Sequence, residues 1–218
     1  YIETNVLGAL NILQACRESD TLSRLLHVST SENYGSAQQV PIKETHPLVG
    51  QSPYSASKIA ADKLVESYFL SFGLPVVTAR PFNTFGPRQT ARAVIPTIAS
   101  QMISKSEKLK LGALTPTRDF NFVTDIVDGM QALALCQGAE GEVVNLGTGD
   151  EWSIAQTVEL LRDITKSDIE IEVDVNRMRP ATSEVNRLVA DTTKIRDLTN
   201  WHPQHTFAQG LAKTVSWI

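Results

Sequence analysis

The chain has 218 residues, a formal charge of −4 at pH 7, 42% hydrophobic residues and 20% charged residues. This composition is ordinary for a globular protein with a sizeable core, and its acidic balance gives no electrostatic reason to expect nucleic acid or an anionic membrane as a partner. The sequence carries no apolar run long enough to span a bilayer, no secretory signal and no Cys/His spacing typical of a metal site. We therefore expect a cytoplasmic protein with reduced cysteines and no metal.

The first predicted elements are a helix and a short buried strand. Residues 4–16 place apolar side chains at helical spacing. Leu25–Val28 is a short apolar run, and the chain then turns polar through Ser29, Thr30, Ser31 and Glu32. This pattern is typical of a strand of a parallel sheet that ends at the carboxyl edge, where ligands bind in open α/β sheets.

A long helix is predicted over residues 54–72. Ser52 can cap it, and Pro53 suits the first helical position. Tyr54 and Lys58 then share one helix face, because residues four apart are neighbours on an α-helix. The helix therefore presents a phenol and an ammonium group on the same side of its first two turns.

Strands and helices alternate in the remainder of the chain. Strands are predicted at 74–80, 108–112, 142–146 and 169–175, and helices at 91–104, 122–136, 191–198 and 207–218. Gly147, Thr148 and Gly149 precede the capping pattern at Ser153, so we interpret them as a strand-to-helix turn rather than a phosphate loop. The alternation predicts an α/β doubly wound fold.

Five motifs follow one another in a fixed order along nearly the whole chain. They are Ser29-Thr30-Ser31-Glu32-x-Tyr34-Gly35, Tyr54-x-x-x-Lys58, Arg80-Pro81-Phe82-Asn83-x-Phe85-Gly86-Pro87-Arg88, Thr117-Arg118-Asp119-Phe120-x-Phe122-Val123-x-Asp125 and Asn145-Leu146-Gly147-Thr148-Gly149. The series resembles the extended short-chain dehydrogenase/reductase family, in its NAD-dependent branch of nucleotide-sugar epimerases, dehydratases and decarboxylases. The resemblance implies a Rossmann-like fold, NAD as the cofactor and a nucleoside-diphosphate sugar as the substrate.

The resemblance also implies how the chain is organised. A Gly-rich turn that holds the NAD pyrophosphate would precede Tyr1, so we predict an N-terminally truncated fold that binds NAD weakly by itself. A partial NAD-binding domain is expected at 1–84 and 120–147, and a smaller substrate lobe at 85–119 and 148–218. Helices 4–16 and 54–72 resemble those that join two copies in the family, which implies a homodimer.

Catalytic and cofactor roles follow from the same resemblance. Tyr54 is the predicted base that takes a proton from a sugar hydroxyl, and Thr30 would hold that hydroxyl in line. A phenol is too weak an acid to lose its proton at neutral pH, so Lys58 is expected to favour the phenolate. Lys58 would also bind the nicotinamide ribose, with Ser29 and Pro81 beside the cofactor.

Glu32 and Ser31 separate the possible activities. In a 4,6-dehydratase, Glu32 would remove the C5 proton and Ser31 would help to protonate the leaving hydroxyl; the alternative for Glu32 is a solvated loop carboxylate. The pair also fits UDP-glucuronate decarboxylases, whereas a UDP-glucose 4-epimerase needs neither residue. Residues 50–58 and 116–120 look most like dehydratases of nucleotide-linked N-acetylglucosamine in legionaminic-type sugar synthesis. We predict a 4,6-dehydratase, with those two activities and a truncated, non-catalytic oligomerisation module as alternatives.

Substrate binding is expected to depend on guanidinium groups, which match diphosphate oxygens best. Asn83 matches the family's diphosphate-contacting asparagine. Arg88, Arg118 and Arg187 stand where arginines of the family meet phosphate or nucleoside. Arg179 begins the same C-terminal signature. For each arginine the alternative is an ordinary salt bridge.

Overall fold

The computed structural model describes residues 1–174, 177 and 185–218. The predicted binding residue Arg179, and position 175 at the end of a predicted strand, lie outside these described residues. Within them, no helix is both long enough and apolar enough to cross a membrane. In chain order the described elements are α1 Gly8–Arg17, β1 Leu25–Val28, α2 Pro53–Phe72, β2 Val76–Pro81, β3 Asn83–Phe85, α3 Val94–Ile103, β4 Leu109–Leu111, β5 Thr117–Arg118, β6 Phe120–Phe122, α4 Val123–Leu135, β7 Val143–Leu146, β8 Trp152–Ser153, α5 Ile154–Thr165, β9 Ile171–Val173, β10 Arg187–Leu188, α6 Thr193–Thr199 and α7 Phe207–Trp217.

A parallel sheet with the strand order β1-β2-β7 forms the centre of the fold. Successive residues of a strand face opposite sides of a sheet, and Val76 and Val77 of β2 show which helices cover each side. Val76 packs with Leu13 of α1 and Val65 of α2, whereas Val77 packs in the cluster that includes Ile126 of α4. Helices therefore cover both faces, as the doubly wound prediction requires, and that fold class is confirmed.

Helix α2 begins and ends as the sequence predicts. Ser52 Oγ accepts a hydrogen bond from the Ser55 N–H, and Ser55 Oγ accepts one from the Ser52 N–H, so the two serines form a reciprocal cap. Gly73 ends the helix in the left-handed conformation, with φ of 64°. The cap fixes the first turn of α2, which carries Tyr54.

A second apolar core lies among α3, α5 and α7. The pairs β3–β6 and β4–β9 are parallel, and Phe85 of β3, Phe120 of β6 and Phe207 of α7 meet in this core. The Phe120 and Phe207 rings stack with centroids 5.3 Å apart. Strand β6 thus contributes to this core, although the predicted division assigned residues 120–147 to the cofactor domain; the division itself stays a prediction.

Two element boundaries differ from the predicted ones, at the start of the first helix and at the end of β1. The first helix begins before Thr4, because Ile2–Leu7 forms a π-helical segment that continues directly into α1. After β1, Ser31–Tyr34 forms a short 3₁₀ turn where the sequence indicated only a polar strand end. This turn brings the side chains that follow β1 back towards α2.

Candidate active site

The segment after β1 holds its hydroxyl and carboxylate side chains through the 3₁₀ turn. Thr30 adopts an extended conformation and caps the turn, since its Oγ1 accepts a hydrogen bond of 3.3 Å from the Glu32 N–H. Ser31 is buried, whereas Glu32 is partly exposed. The turn therefore leaves the Glu32 carboxylate, and not the Ser31 hydroxyl, open to a ligand.

Tyr54 lies next to this segment. The Thr30 side chain lies close enough to its phenol to affect the pKa of Tyr54, as expected for two groups that hold one sugar hydroxyl. Burial raises the pKa of Tyr54 above its ordinary value, and the charge of Glu32 and the Tyr1 phenol raise that pKa further, while the Thr30 side chain opposes the rise. The Tyr1 ring packs edge-on against Tyr54, with centroids 5.7 Å apart.

Lys58, the predicted partner of the Tyr54 phenol, is hydrogen-bonded to the end of β1. Its Nζ donates a 2.7 Å hydrogen bond to the Val28 carbonyl at the end of β1. The groups that shift the pKa of Tyr54 do not include Lys58, and that pKa is raised rather than lowered. Burial lowers the pKa of the Lys58 ammonium, and the nearby Asp62 carboxylate opposes the decrease. The Lys58 ammonium is thus hydrogen-bonded at the end of β1 in the chain alone, and its effect on the Tyr54 phenol stays a prediction.

The predicted cofactor residues occupy different surroundings. Lys58 lines a cavity of about 230 Å³ whose other walls come mostly from α1, the residues just before it and β1, including Val28. Ser29 turns its hydroxyl inwards and donates a 2.7 Å hydrogen bond to Asp62. Pro81 is the last residue of β2 and pairs with Leu146 of β7. Lys58 therefore has open space beside it, whereas the Ser29 side chain is committed to the interior.

A larger cavity, of about 490 Å³, lies beyond Glu32. Three predicted site residues, Glu32, Asn83 and Arg118, line it. Thr30 and Tyr54 are not among its lining residues, so Glu32 is the residue that joins the Tyr54 region to this cavity.

Several further polar residues of this cavity wall are missing from the sequence prediction. Arg92, Arg177 and Gln89 line it together with the predicted residues. Gln89 Nε2 donates to the Thr84 carbonyl, which leaves its Oε1 buried and without a hydrogen-bond partner among the described residues. Asn83 Oδ1 is buried and unpartnered in the same sense. The wall therefore combines guanidinium groups with carbonyl oxygens that can accept hydrogen bonds.

Two predicted binding residues do not line this cavity. Arg88 is exposed, with a positive φ of 68°, on the turn after β3. Arg187 makes a two-pronged ion pair with Glu151, in which Nε and Nη2 each lie 2.6 Å from a carboxylate oxygen. In this structure Arg187 fits the salt-bridge alternative. A ligand that used Arg187 would compete with Glu151.

Fold and site together define a Rossmann-like α/β protein with a tyrosine–threonine pair at the carboxyl edge of its parallel sheet. The chain belongs to the family described as GDP-mannose 4,6 dehydratase, whose model matches residues 1–214.

Known proteins similar to the chain have several activities. A dTDP-glucose 4,6-dehydratase of Xanthomonas campestris is 33% identical over 240 residues, which cover 100% of this chain and 66% of that relative. A GDP-6-deoxy-D-mannose reductase of Pseudomonas aeruginosa is 34% identical over 225 residues, covering 99% of this chain and 72% of the relative. The structure of a Bacillus cereus UDP-glucuronic acid 4-epimerase, in complex with UDP-glucuronic acid and NAD, matches with a TM-score of 0.92 and 26% identity, covering 100% of this chain and 68% of that one. The chain thus spans about two thirds of the length of the first of these relatives.

Proposed function

We propose that the protein to which this chain belongs is an NAD-dependent nucleotide-sugar 4,6-dehydratase. The observation that carries the proposal is the position of Glu32. Its carboxylate acts on the Tyr54 phenol from one side and lines the arginine-rich cavity on the other. An epimerase needs no second base, whereas a dehydratase requires one next to the sugar carbon beside the oxidised centre.

The charge of the cavity favours an anionic substrate. Arg92, Arg118 and Arg177 line its wall together with Glu32, and the Arg177 guanidinium is ion-paired with Asp174. Guanidinium groups bind phosphate oxygens through paired, charge-assisted hydrogen bonds. We infer that the diphosphate of a nucleotide sugar binds at the arginines, with Asn83 beside it, and that the hexose lies towards Glu32.

Tyr54 and Thr30 would act on the 4-hydroxyl of the hexose. The Thr30 side chain lies close enough to the phenol to act on its pKa, so a hydroxyl bound between them would meet one group that fixes its direction and one that accepts its proton. Bound NAD would supply the hydride chemistry, which is oxidation at C4 and reduction at C6. Because burial and Glu32 raise the pKa of Tyr54 in the chain alone, a positive charge beside the ring is needed to form the phenolate.

Glu32 would then remove the proton from C5, which the 4-keto group makes acidic. The C6 hydroxyl leaves as water, and Glu32 later returns a proton to C5. Ser31 is the proposed helper donor for the departing hydroxyl; since Ser31 is buried, this role requires the substrate to reach it through the opening at Glu32.

The residues present fit the nicotinamide end of NAD. Lys58 has an open cavity beside it, lined by Val28 at the tip of β1. Its ammonium can exchange the Val28 carbonyl for a ribose hydroxyl at little cost, because both are neutral oxygen acceptors. Pro81, at the neighbouring strand end, is the proposed contact of the nicotinamide amide.

The proposal is tested by product analysis with the full-length protein. A panel of nucleotide hexoses that includes nucleotide-linked N-acetylglucosamine is incubated with the protein and NAD, and the products are analysed by mass spectrometry. The expected result is a 4-keto-6-deoxy product, lighter than the substrate by one water, without net formation of NADH. A product of unchanged mass would contradict the dehydratase proposal, as would release of carbon dioxide from a uronate.

Glu32→Gln provides the matched variant. It should abolish loss of water while C4 oxidation continues, so NADH absorbance rises and stays high. Glu140→Gln is the control, since Glu140 is ion-paired with Arg24 and lines neither cavity. Undiminished dehydration by Glu32→Gln would remove Glu32 from the mechanism.

A 4-epimerase is the second candidate, favoured by the fold similarity to the Bacillus cereus enzyme and by the Tyr54–Thr30 pair, which suffices for oxidation at C4.

We also propose a homodimer through α1 and α2. Leu7, Ile12 and Leu70, which lie on or beside these helices, are exposed apolar side chains of the kind that an interface would cover. Sedimentation of the full-length protein, with Ile12→Glu as the variant, tests the dimer.

A further inference from the structure

A buried carboxylate lies behind the candidate active site. Asp62 is on α2, four residues after Lys58 and on the same helix face. Its side chain is only 5% exposed, and it does not line the arginine-rich cavity. Asp62 is therefore too far inside the protein to touch a substrate there, and its effect must pass through other residues.

The Asp62 carboxylate accepts hydrogen bonds from both ends of the segment 29–33, which carries the candidate reacting groups Thr30 and Glu32. Oδ2 accepts hydrogen bonds from Ser29 Oγ at 2.7 Å and from Asn33 Nδ2 at 3.0 Å. Thr30 and Glu32 lie between these two donors in the chain. The segment is thus fastened at both ends to the helix that carries Tyr54.

Asp62 is also joined to both neighbouring strands. Oδ1 lies 2.9 Å from His27 Nε2 of β1, and Oδ2 accepts from Arg80 Nη2 of β2 at 2.9 Å. Arg80 is 4% exposed, and it donates in turn to the Tyr34 hydroxyl, which donates to Asn145 Oδ1 of β7. One connected set of buried polar groups therefore spans all three central strands and α2.

The charge balance of this set explains why it can exist inside the protein. Burial of an unpaired carboxylate is unfavourable, whereas Arg80 supplies the compensating cation and the remaining donors satisfy both oxygens. Both Asp62 oxygens are satisfied, whereas Asn33 Oδ1 is buried without a partner among the described residues, and a polar network in a low dielectric favours one arrangement of its members. Rotation of Ser29 or Asn33 away from Asp62 would leave buried polar atoms without partners.

We propose that Asp62 is a positioning residue for the reaction. It acts through Ser29 and Asn33 to hold Thr30 and Glu32 in register with Tyr54, and Arg80 keeps its charge compensated. The role rests on the proposed function, because it concerns the alignment of the groups assigned there. None of the residues that line the cavity is bonded to both ends of the segment that carries Thr30 and Glu32 in this way.

Asp62→Asn in the full-length enzyme tests the proposal by the split between rate and affinity. Displacement of a reacting group by about 1 Å costs on the order of 100-fold in rate. We therefore expect single-turnover hydride transfer to slow about 100-fold, while the KM for the nucleotide sugar changes less than about threefold because the arginines stay in place. Asp62→Glu, which keeps the charge, should recover part of the lost rate.

Asp125→Asn is the matched control for loss of stability. Asp125 is also buried and hydrogen-bonded, to the backbone N–H and ring of His205, but it contacts neither the segment 29–33 nor α2. At a temperature where both variants are folded, Asp125→Asn should keep the wild-type rate of hydride transfer. Equal losses in the two variants, or a loss in Asp62→Asn confined to KM, would overturn the positioning role.

A double variant separates positioning from folding if Asp62→Asn unfolds. Replacing a buried ion pair by apolar residues of similar size is often neutral for stability. At a temperature where circular dichroism shows it to be folded, Asp62→Leu combined with Arg80→Met should remain slow in hydride transfer, because Ser29 and Asn33 have lost the carboxylate that holds them. A folded double variant with the wild-type rate would contradict the proposal.

A readout without substrate distinguishes this proposal from the proposed function. The Tyr54 phenol can be titrated by NMR in protein containing ¹³C-labelled tyrosine. The titration midpoint should differ between wild type and Asp62→Asn, because the Thr30 and Glu32 side chains that act on the phenol have moved, and it should be unchanged in Asp125→Asn. If no nucleotide sugar is turned over, the proposed function fails. The positioning role is then decided by this titration alone, and an unchanged midpoint in Asp62→Asn rejects it.

Discussion

Asp62 and Asp119 are both buried carboxylates, but they are surrounded by different donors. Asp62 receives hydrogen bonds from side chains, including the charged Arg80, whereas Asp119 receives most of its bonds from backbone N–H groups such as those of Gly149 and Ala190. The pKa of Asp62 lies below its ordinary value and that of Asp119 above it. Burial raises the pKa of both carboxyl groups, and among the described residues a cation partner is seen at Asp62 and not at Asp119.

The different donors around Asp62 and Asp119 show that the two sides of the candidate site are held together in different ways. Around Asp62, side chains hold other side chains, so the alignment of Thr30 and Tyr54 depends on charge balance. Around Asp119, a carboxylate holds the backbone of the turn at Thr148 and Gly149 and of Ala190, two residues after β10, next to Arg118 of the cavity wall. Substitutions on the first side should alter rate, and those on the second should alter substrate binding.

Tyr54→Phe should have the largest effect on the Asp62 side. Removal of a general base costs about 10²- to 10⁴-fold in rate, so kcat should fall by that factor while KM stays nearly constant. Tyr68→Phe, on the same helix and away from Thr30, should keep the wild-type kcat. Steady-state kinetics of the full-length enzyme checks both, and a Tyr54→Phe enzyme that retains more than a tenth of the wild-type kcat would remove the phenol from the base role.

Stability as a function of pH should separate the two carboxylates. Asp62 has a lowered folded pKa, so it stabilises the protein above its ordinary pKa, and this contribution is lost as the pH falls through the folded value. Removing one partner of a buried pair costs about 3–5 kcal/mol. Asp62→Asn should therefore lose about that much at pH 7 and less in acid, as measured by urea unfolding.

Asp119 should show the opposite trend. Its folded pKa is raised, so its contribution to stability is fully present below the ordinary pKa and is lost as the pH rises through the folded value. The free energy of unfolding of Asp119→Asn should thus improve relative to wild type as the pH rises from about 3 to 7. Parallel pH profiles for the two variants would contradict the difference drawn here between the carboxylates.

Arg92→Met should have a smaller effect, confined to binding. Arg92 lines the large cavity and makes no ion pair among the described residues, so its guanidinium is available to a diphosphate. Loss of one charge-assisted contact of about 1.5–3 kcal/mol should raise KM about 10- to 100-fold with kcat nearly unchanged. Arg196→Met, on α6, is the control; a purely kcat effect at Arg92 would place it in the chemistry instead.

Much of the site was accessible from the sequence because local rules fixed it. The cap at Ser52 and Pro53 determines where α2 begins, and so places Tyr54 at the carboxyl edge of the sheet. The apolar run that turns polar after Val28 predicted the strand end that carries Thr30 and Glu32. Both signals depend only on residues close together in the sequence, and the structure shows the helix start and the strand end that they predict.

The missing parts depend on contacts between distant segments. In the sequence, Asp62 looks like an ordinary polar residue of a helix, because only the folded β1 and β2 bring His27 and Arg80 against it. The available signal was an acidic residue directly after the apolar residues 59–61, on the same helix face as Lys58. Arg92 follows a recognised motif but acquires a role only when β6 and α3 close the cavity. Arg187 was predicted from its motif, and its pairing with Glu151 depends on the contact between β10 and β5.

The central claim, that Glu32 removes the C5 proton beside a sugar oxidised by way of Tyr54, is tested most directly by turnover in deuterium oxide. A base that takes the C5 proton and later returns one exchanges it with solvent, so the 4-keto-6-deoxy product should carry deuterium at C5. NMR of the product made by the full-length enzyme gives the answer. Deuterium at C5 is the predicted result, and a product with its original C5 hydrogen, or a C4 epimer without deuterium, would contradict the account.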